Sequence, residues 1–209
     1  NTCLEFGITP NYVVVSDAQI SFKEYGEIDP KLCKSIKLFI SVTGSSEWST
    51  YWVKNGGEAH YYLNKDNIRT HKTFSEYISF DKAYLIPASS NVGNTAYVFS
   101  VLVLGYSEVL LSAYDYSYKI MGNYYGNQKK EPLDFNLKIK KHNLNNHFTG
   151  FDINNDLVQI SHNMQFSAKW LIDFIEHMHR QRKCKTINIT GAGILRIPFQ
   201  AKIKRKEVA

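Results

Sequence analysis

The sequence predicts an α/β fold, a mostly parallel β-sheet flanked by helices. Three observations predict it. Apolar, β-branched runs recur at 12–16 (YVVVS), 36–42 (IKLFISV), 109–113 (VLLSA) and 186–189 (TINI), and the run at 109–113 shows no polar alternation, as in a strand covered on both faces. Helical periodicity lies between such runs, at 92–104 and 167–180. Finally, the runs stop at an acid or at a glycine turn, namely Asp17, Asp115 and Thr190-Gly191-Ala192-Gly193.

Length and composition set the frame. With 209 residues, 44% hydrophobic and 21% charged, the chain suits a single soluble globular domain over 1–209. No apolar run approaches the roughly 20 residues of a membrane span, and no secretory signal is visible. The chain begins with Asn1, in what reads as the middle of a helix over residues 1–6, which predicts that an N-terminal part precedes it. The three cysteines, Cys3, Cys33 and Cys184, are odd in number and lack C-x-x-C spacing. They read as reduced thiols in a cytoplasmic protein, and a zinc site is not expected. The net charge of +6 suits an anionic ligand, although basic residues such as those of the tail at 202–206 also suit a solvated surface.

In chain order, Gly7-Ile8-Thr9-Pro10-Asn11 is a helix-stop and turn sequence that feeds the strand at 12–16. The second strand, 36–42, ends in Thr43-Gly44-Ser45-Ser46. Residues 59–63 and 83–86 are a third and a short fourth, the latter broken by Pro87. The helix at 92–104 is apolar nearly all round and therefore packed inside. Tyr106-Ser107-Glu108 turns the chain into the central strand at 109–113. The polar stretch GNYYGNQKKEP at 122–132 suits a lid, taken as 119–133, or a surface excursion. Residues 135–139 alternate as a strand, and 143–155 are Asn-rich and turn-like. Trp170, Leu171, Phe174, Ile175 and Met178 share one face of the helix at 167–180. The last strand, 186–189, ends at the glycine turn.

Carboxyl ends of parallel strands share one sheet edge, so the tips at Asp17, Asp115 and Thr190–Gly193 are expected around one hollow. The loop Ser89-Ser90-Asn91-Val92-Gly93-Asn94-Thr95 opens a helix there, and its N–H groups and side chains suit a diphosphate, with Gly93 allowing close approach. Ser90 or Asn91 also suits a plain N-cap, and Asp17 a turn former. An acid directly after a buried strand, as at Asp115, is a typical ligand group. His177 and His179 read as surface. His162, near a loop-to-helix junction, suits either a cap or a general base toward an acceptor hydroxyl. No P-loop, G-x-G-x-x-G, G-x-S-x-G or H-E-x-x-H pattern occurs, and no recognition module for specific nucleic-acid binding is present.

Taken in order, these pieces resemble the family of the motility accessory factor flagellin glycosyltransferases and the archaeal hydroxymethyl-dihydropterin pyrophosphokinases. Gly7-Ile8-Thr9-Pro10-Asn11-Tyr12-Val13-Val14-Val15-Ser16-Asp17 resembles its GI-x-PD-[YF]-VV-x-x-D. Ser90-Asn91-Val92-Gly93-Asn94-Thr95-Ala96, Leu104-Gly105 and Ala113-Tyr114-Asp115-Tyr116-Ser117-Tyr118 resemble S-x-V-x-x-x-A, LG and GxDxAY. Asn188-Ile189-Thr190-Gly191-Ala192-Gly193-Ile194-Leu195-Arg196-Ile197-Pro198 resembles NATEGGA-x-IP. The middle motif is also similar to bacterial sialyltransferases that use CMP-sialic acid. The resemblance covers nearly the whole chain. It departs at Asn11 (usually Asp), at Ala113 (usually Gly), in the missing Glu near Thr190 and in the absent upstream Gly-rich loop.

The resemblance implies a Rossmann-like transferase. It would move a nonulosonic, sialic-acid-type sugar from a nucleotide-activated, CMP-type donor to a glycan or protein hydroxyl. Asp17, Ser90, Asn91, Gly93, Asn94, Thr95, Tyr118, Thr190, Gly191 and Gly193 would bind nucleotide and donor, with Asp115 and His162 catalytic. In the alternative, diphosphate passes from ATP to a pterin-like alcohol, with Mg²⁺ on Asp17 and Asp115. A non-catalytic binding module of the same fold is the third reading.

Overall fold

The computed structural model describes residues 2–17, 22, 28–65, 84–87, 91–119 and 147–201. The fold is α/β with a curled, mostly parallel sheet, as the sequence predicts. The chain falls into two compact units, Asn1–Phe99 and Ser100–Ala209.

In the first unit, α1 (Thr2–Glu5) leads through Gly7, at φ 71°, to β1 (Tyr12–Val15). Strands β2 (Lys37–Ser41), β3 (Ala59–Asn64) and β4 (Tyr84–Ile86) follow. All neighbours pair in parallel, and the order across the sheet is the order along the chain. Strand β2 is buried on both faces. Leu38 and Ile40 join Trp48 and Trp52 in the core, while Phe39 meets Phe99 at 3.9 Å and stacks on His60 at 5.0 Å. Two covered faces explain why its sequence shows no polar alternation.

After β2 the chain turns, with Gly44 N donating to the Ser41 carbonyl at 2.7 Å, and enters a helix that the sequence reading does not name, α2 (Ser46–Lys54). Ser45 caps it, its Oγ accepting from Glu47 N at 3.4 Å, and Glu47 lies in the first turn where the helix dipole favours an acid. Trp48 and Trp52, one turn apart, set the buried face. The Trp52 indole donates to the Ile36 carbonyl at 2.7 Å, so the helix is fastened to the strand it covers by a bond as well as by area.

The helix expected at 92–104 is α3 (Val92–Val98) followed by a wider, π-helical turn, Phe99–Val103. It is not apolar-packed all round, because Val92 and Leu102 are exposed while Val98, Phe99 and Val101 are buried. A π turn changes the pitch, so the apolar stripe slips around the axis.

In the second unit, β5 (Glu108–Leu111) pairs in parallel with β9 (Lys185–Asn188). A three-stranded antiparallel sheet holds β6 (Tyr118–Lys119), β8 (Leu157–Ser161) and β7 (His147–Phe151) in that order. The turn-like reading of 143–155 is corrected over 147–151, which is strand, and holds at 152–155, while 143–146 lie outside the described residues. Helix α4 (His162–Arg180) starts five residues before the expected 167 because Ser161 caps it, Oγ accepting from Met164 N at 3.2 Å. Ser167, Ala168, Leu171, Ile175 and Met178 form its buried stripe. The expected strand at 135–139, and the lid at 119–133 beyond Lys119, lie outside the described residues. Among the described residues, no helix is long and apolar enough to cross a membrane.

Trp52 is the test of the first core. Trp52→Ala removes a buried indole and its bond to Ile36, and should lower the unfolding free energy by about 3–5 kcal/mol in urea titrations.

Candidate functional site

The carboxyl end of β1 and the start of α3 belong to one unit and meet through Tyr62. Its hydroxyl donates to the Val15 carbonyl at 3.2 Å, within hydrogen-bonding reach of the Thr95 and Ser16 hydroxyls. Burial raises the Tyr62 phenol far above its ordinary value, and those two hydroxyls pull it partly back. Asp17, the next residue after Ser16, is exposed.

Asn91 caps α3. Its Oδ1 accepts from Gly93 N at 2.8 Å and Asn94 N at 3.3 Å, while its carbonyl accepts from Thr95 N at 3.0 Å and from the Thr95 hydroxyl at 3.2 Å. The Gly93 and Asn94 N–H groups are thus engaged by the cap, and an anion on them would have to displace a carboxamide. The side chains of Asn94 and Thr95 are buried, at 0% and 2% exposure. Ser90 lies outside the described residues.

In the second unit, the ends of β5 and β9 run into one knot around Asp115. Thr190 Oγ1 accepts from Tyr114 N at 3.0 Å and donates to the Leu111 carbonyl at 3.4 Å. Ile189 N also donates to Leu111, at 2.8 Å. Asn188, fully buried, accepts from Thr190 N through Oδ1 at 3.0 Å and donates through Nδ2 to the Leu195 carbonyl at 3.0 Å. The Asp115 carbonyl accepts from Ile194 N at 2.8 Å and from Ser117 Oγ at 3.3 Å. A Cβ at Gly193 would fall onto the Asp115 backbone, and Gly193 has φ 83°. Glycine is therefore required there by contact as well as by conformation. Gly191, at φ 73°, has open space where its Cβ would be.

The turn that carries Asp115 is itself strained. Ala113 has φ 61° and Tyr116 φ 51°, a left-handed region that costs an L-residue about 1 kcal/mol or more. Ala113 stands where the resembled motif has glycine. Burial pushes the Tyr114 phenol up to about 12 and raises Tyr116 further, with Tyr114 as its neighbour.

A residue that the sequence reading passed over anchors the knot. Asp152, 3% exposed, follows β7. Its Oδ1 accepts from Asn154 N at 2.7 Å and Asp156 N at 3.0 Å, and its Oδ2 accepts from Gly193 N at 3.4 Å. Asn154 Nδ2 donates to the Gly191 carbonyl at 2.9 Å, Ile153 N to the Gly193 carbonyl at 2.9 Å, and Arg196 to the Asp152 carbonyl at 3.1 Å. The signal was present: Asp152, Asn154 and Asp156 alternate in DINND, the composition of a side-chain-capped turn.

Tyr118 opens β6, its ring 6.4 Å from His147. His162 is the first residue of α4, exposed, and 5.4 Å from Phe148. A cavity of about 310 Å³ is lined, among the described residues, by His147, Ser161, His162 and Asn163. The structure thus unites Asp115 with Thr190, Gly191 and Gly193 in one unit, and the β1 end with Asn91 and Thr95 in the other. Among the described residues, no three His, Cys, Asp or Glu side chains gather as a metal site. Mg²⁺ commonly uses one or two carboxylates and completes its shell with water and phosphate.

No protein-family model matches the chain, and no curated protein or solved structure matches it.

Two predictions test this knot. Ala113→Gly should stabilise the protein by about 0.5–1 kcal/mol, because relieved left-handed strain exceeds the added unfolded-state entropy; thermal melts read it. Tyr114 holds its proton more tightly folded than unfolded, so its contribution is complete below pH 10 and is lost as pH rises from 10 toward 12. Tyr114→Phe should therefore flatten the decline of stability over that window in melts taken at stepped pH.

Proposed function

We propose that the chain is a glycosyltransferase-like enzyme. It takes a nonulosonic, sialic-acid-type sugar from a CMP-type nucleotide donor and passes it to a hydroxyl of a glycan or protein. The observation that carries this reading is the meeting of Asp115 with the Gly191–Gly193 turn at the ends of two paired parallel strands. Ligands of α/β proteins bind at the carboxyl ends of such strands. The ordered resemblance of the motifs at 7–17, 90–118 and 188–198 to the motility accessory factor and sialyltransferase group adds the substrate class.

In this reading the acceptor oxygen attacks the anomeric carbon as the bond from that carbon to the phosphate oxygen breaks. CMP leaves with the bonding electrons, and His162 takes the acceptor proton. Asp115 faces the donor beside Tyr118, Thr190, Gly191 and Gly193. Thr190 acts by shaping the backbone, since its side chain is bonded internally. Cys3, Cys33 and Cys184 are all free, which supports a reducing, cytoplasmic setting.

The test is a thermal-shift panel of nucleotides followed by a transfer assay. CMP at one hundred times its Kd should add about 2.7 kcal/mol of stability and raise the melting temperature by several degrees. Asp115→Asn should cut transfer at least ~100-fold with an unchanged melting temperature. Absence of any nucleotide shift, or full transfer by Asp115→Asn, removes the reading.

A further inference from the structure

We infer that the cavity at the start of α4 is a ligand site for a neutral, hydroxyl-bearing compound of about monosaccharide size, and that His147 is one of the residues that hold it. The proposed function invokes His162 alone. The transferase reading supplies only the ligand's role, as acceptor; the binding argument stands apart from it.

The cavity, at about 310 Å³, lies at the small end of small-molecule sites. Its described lining is His147, Ser161, His162 and Asn163. His147 is paired across the ladder with Ser161, so their side chains stand on one face with Cβ atoms about 5 Å apart. None of the four lining groups carries a fixed charge. Two imidazoles, a hydroxyl and a carboxamide can each donate and accept. That set matches sugar hydroxyls, which also do both, better than it matches an anion or a cation, for which a counter-charge is the usual recognition element.

Two further observations point to a missing partner. His147 Nδ1 is buried without a hydrogen bond, a state that native proteins largely avoid. Ser161 Oγ already accepts from Met164 N at 3.2 Å, so its own proton remains to be donated. The Tyr118 ring lies 6.4 Å from that of His147. A ligand hydroxyl would meet the accessible part of the half-buried His147 ring and take the serine proton.

Saturation-transfer NMR on the full chain, with methyl glycosides of galactose, glucose and N-acetylglucosamine, tests this. At least one glycoside should show transfer. His147→Phe, which keeps a ring and deletes both nitrogens, should weaken it at least tenfold, and His147→Asn should restore part of the loss. Should His147→Phe fail to fold, Asn163→Ala, at an exposed position, should still weaken binding several-fold. No transfer from any glycoside, affinity unchanged in both His147→Phe and Asn163→Ala, or displacement of the glycoside by inorganic phosphate would each overturn the inference. Glycoside binding without a CMP shift supports it and removes the transferase reading; a CMP shift without glycoside binding does the reverse.

Discussion

The second unit depends on one buried carboxylate. Asp152 gathers N–H groups from its own turn and from Gly193, and charge-assisted bonds of this kind are about twice as strong as neutral ones. They fix the height of the 191–193 loop against the end of β7. That loop in turn lies against the Asp115 backbone so closely that only a glycine fits at 193. The position of Asp115 is thus set from outside its own strand. Its local turn runs through two left-handed non-glycine residues and would relax elsewhere if left to itself. Strain of this kind persists only where surrounding contacts over-determine the backbone, and here those contacts are the bonds of Asp152, Thr190 and Ile194.

The first unit solves a different problem. A parallel sheet must be covered on both faces, and it has two aromatic layers to do so. Trp48 and Trp52 close one side through α2, and Phe39, His60 and Phe99 close the other. At the carboxyl edge the polar groups are drawn inward. Tyr62, Ser16 and Thr95 share hydrogen bonds, and Asn91 caps α3 with its own side chain. Among the described residues, this edge leaves Asp17 exposed, while the Asn91 cap holds the N–H groups of Gly93 and Asn94.

Much of this was legible in the chain. The strands at 12–15 and 37–41 announce themselves because β-branched apolar runs have few alternatives. The expectation that 109–113 is a central strand covered on both faces is corrected: β5 pairs with β9 in a two-stranded sheet and leaves Leu110 56% exposed. Helix α2 was hidden because its cap, Ser45-Ser46 after a glycine, has the composition of a turn, and only two tryptophans mark its inner face. The hairpin of β7 and β8 was hidden by asparagines and by Gly150, a weak strand former. Ile160 Cδ1 lies across Gly150, 2.7 Å from where a Cβ would stand, so a larger residue there would turn that side chain aside. No local pattern reveals such a packing need. The place of Asp115 just after a strand was readable from the sequence. The bonds of Asp152 and the pairing of His147 were not, since each involves a segment distant in sequence, 41 residues away for Asp152 and Gly193.

The strand order in the first unit bears on how the molecule is made. Each strand lies next to the one synthesised just before it. Every pairing in that sheet is thus available as soon as the newer strand leaves the ribosome, and no early strand has to wait with an open edge for a late one to slot between its neighbours. Loop closures stay short, which favours fast assembly. The exposed edge simply migrates along the nascent chain, limiting the time any one edge is open to aggregation.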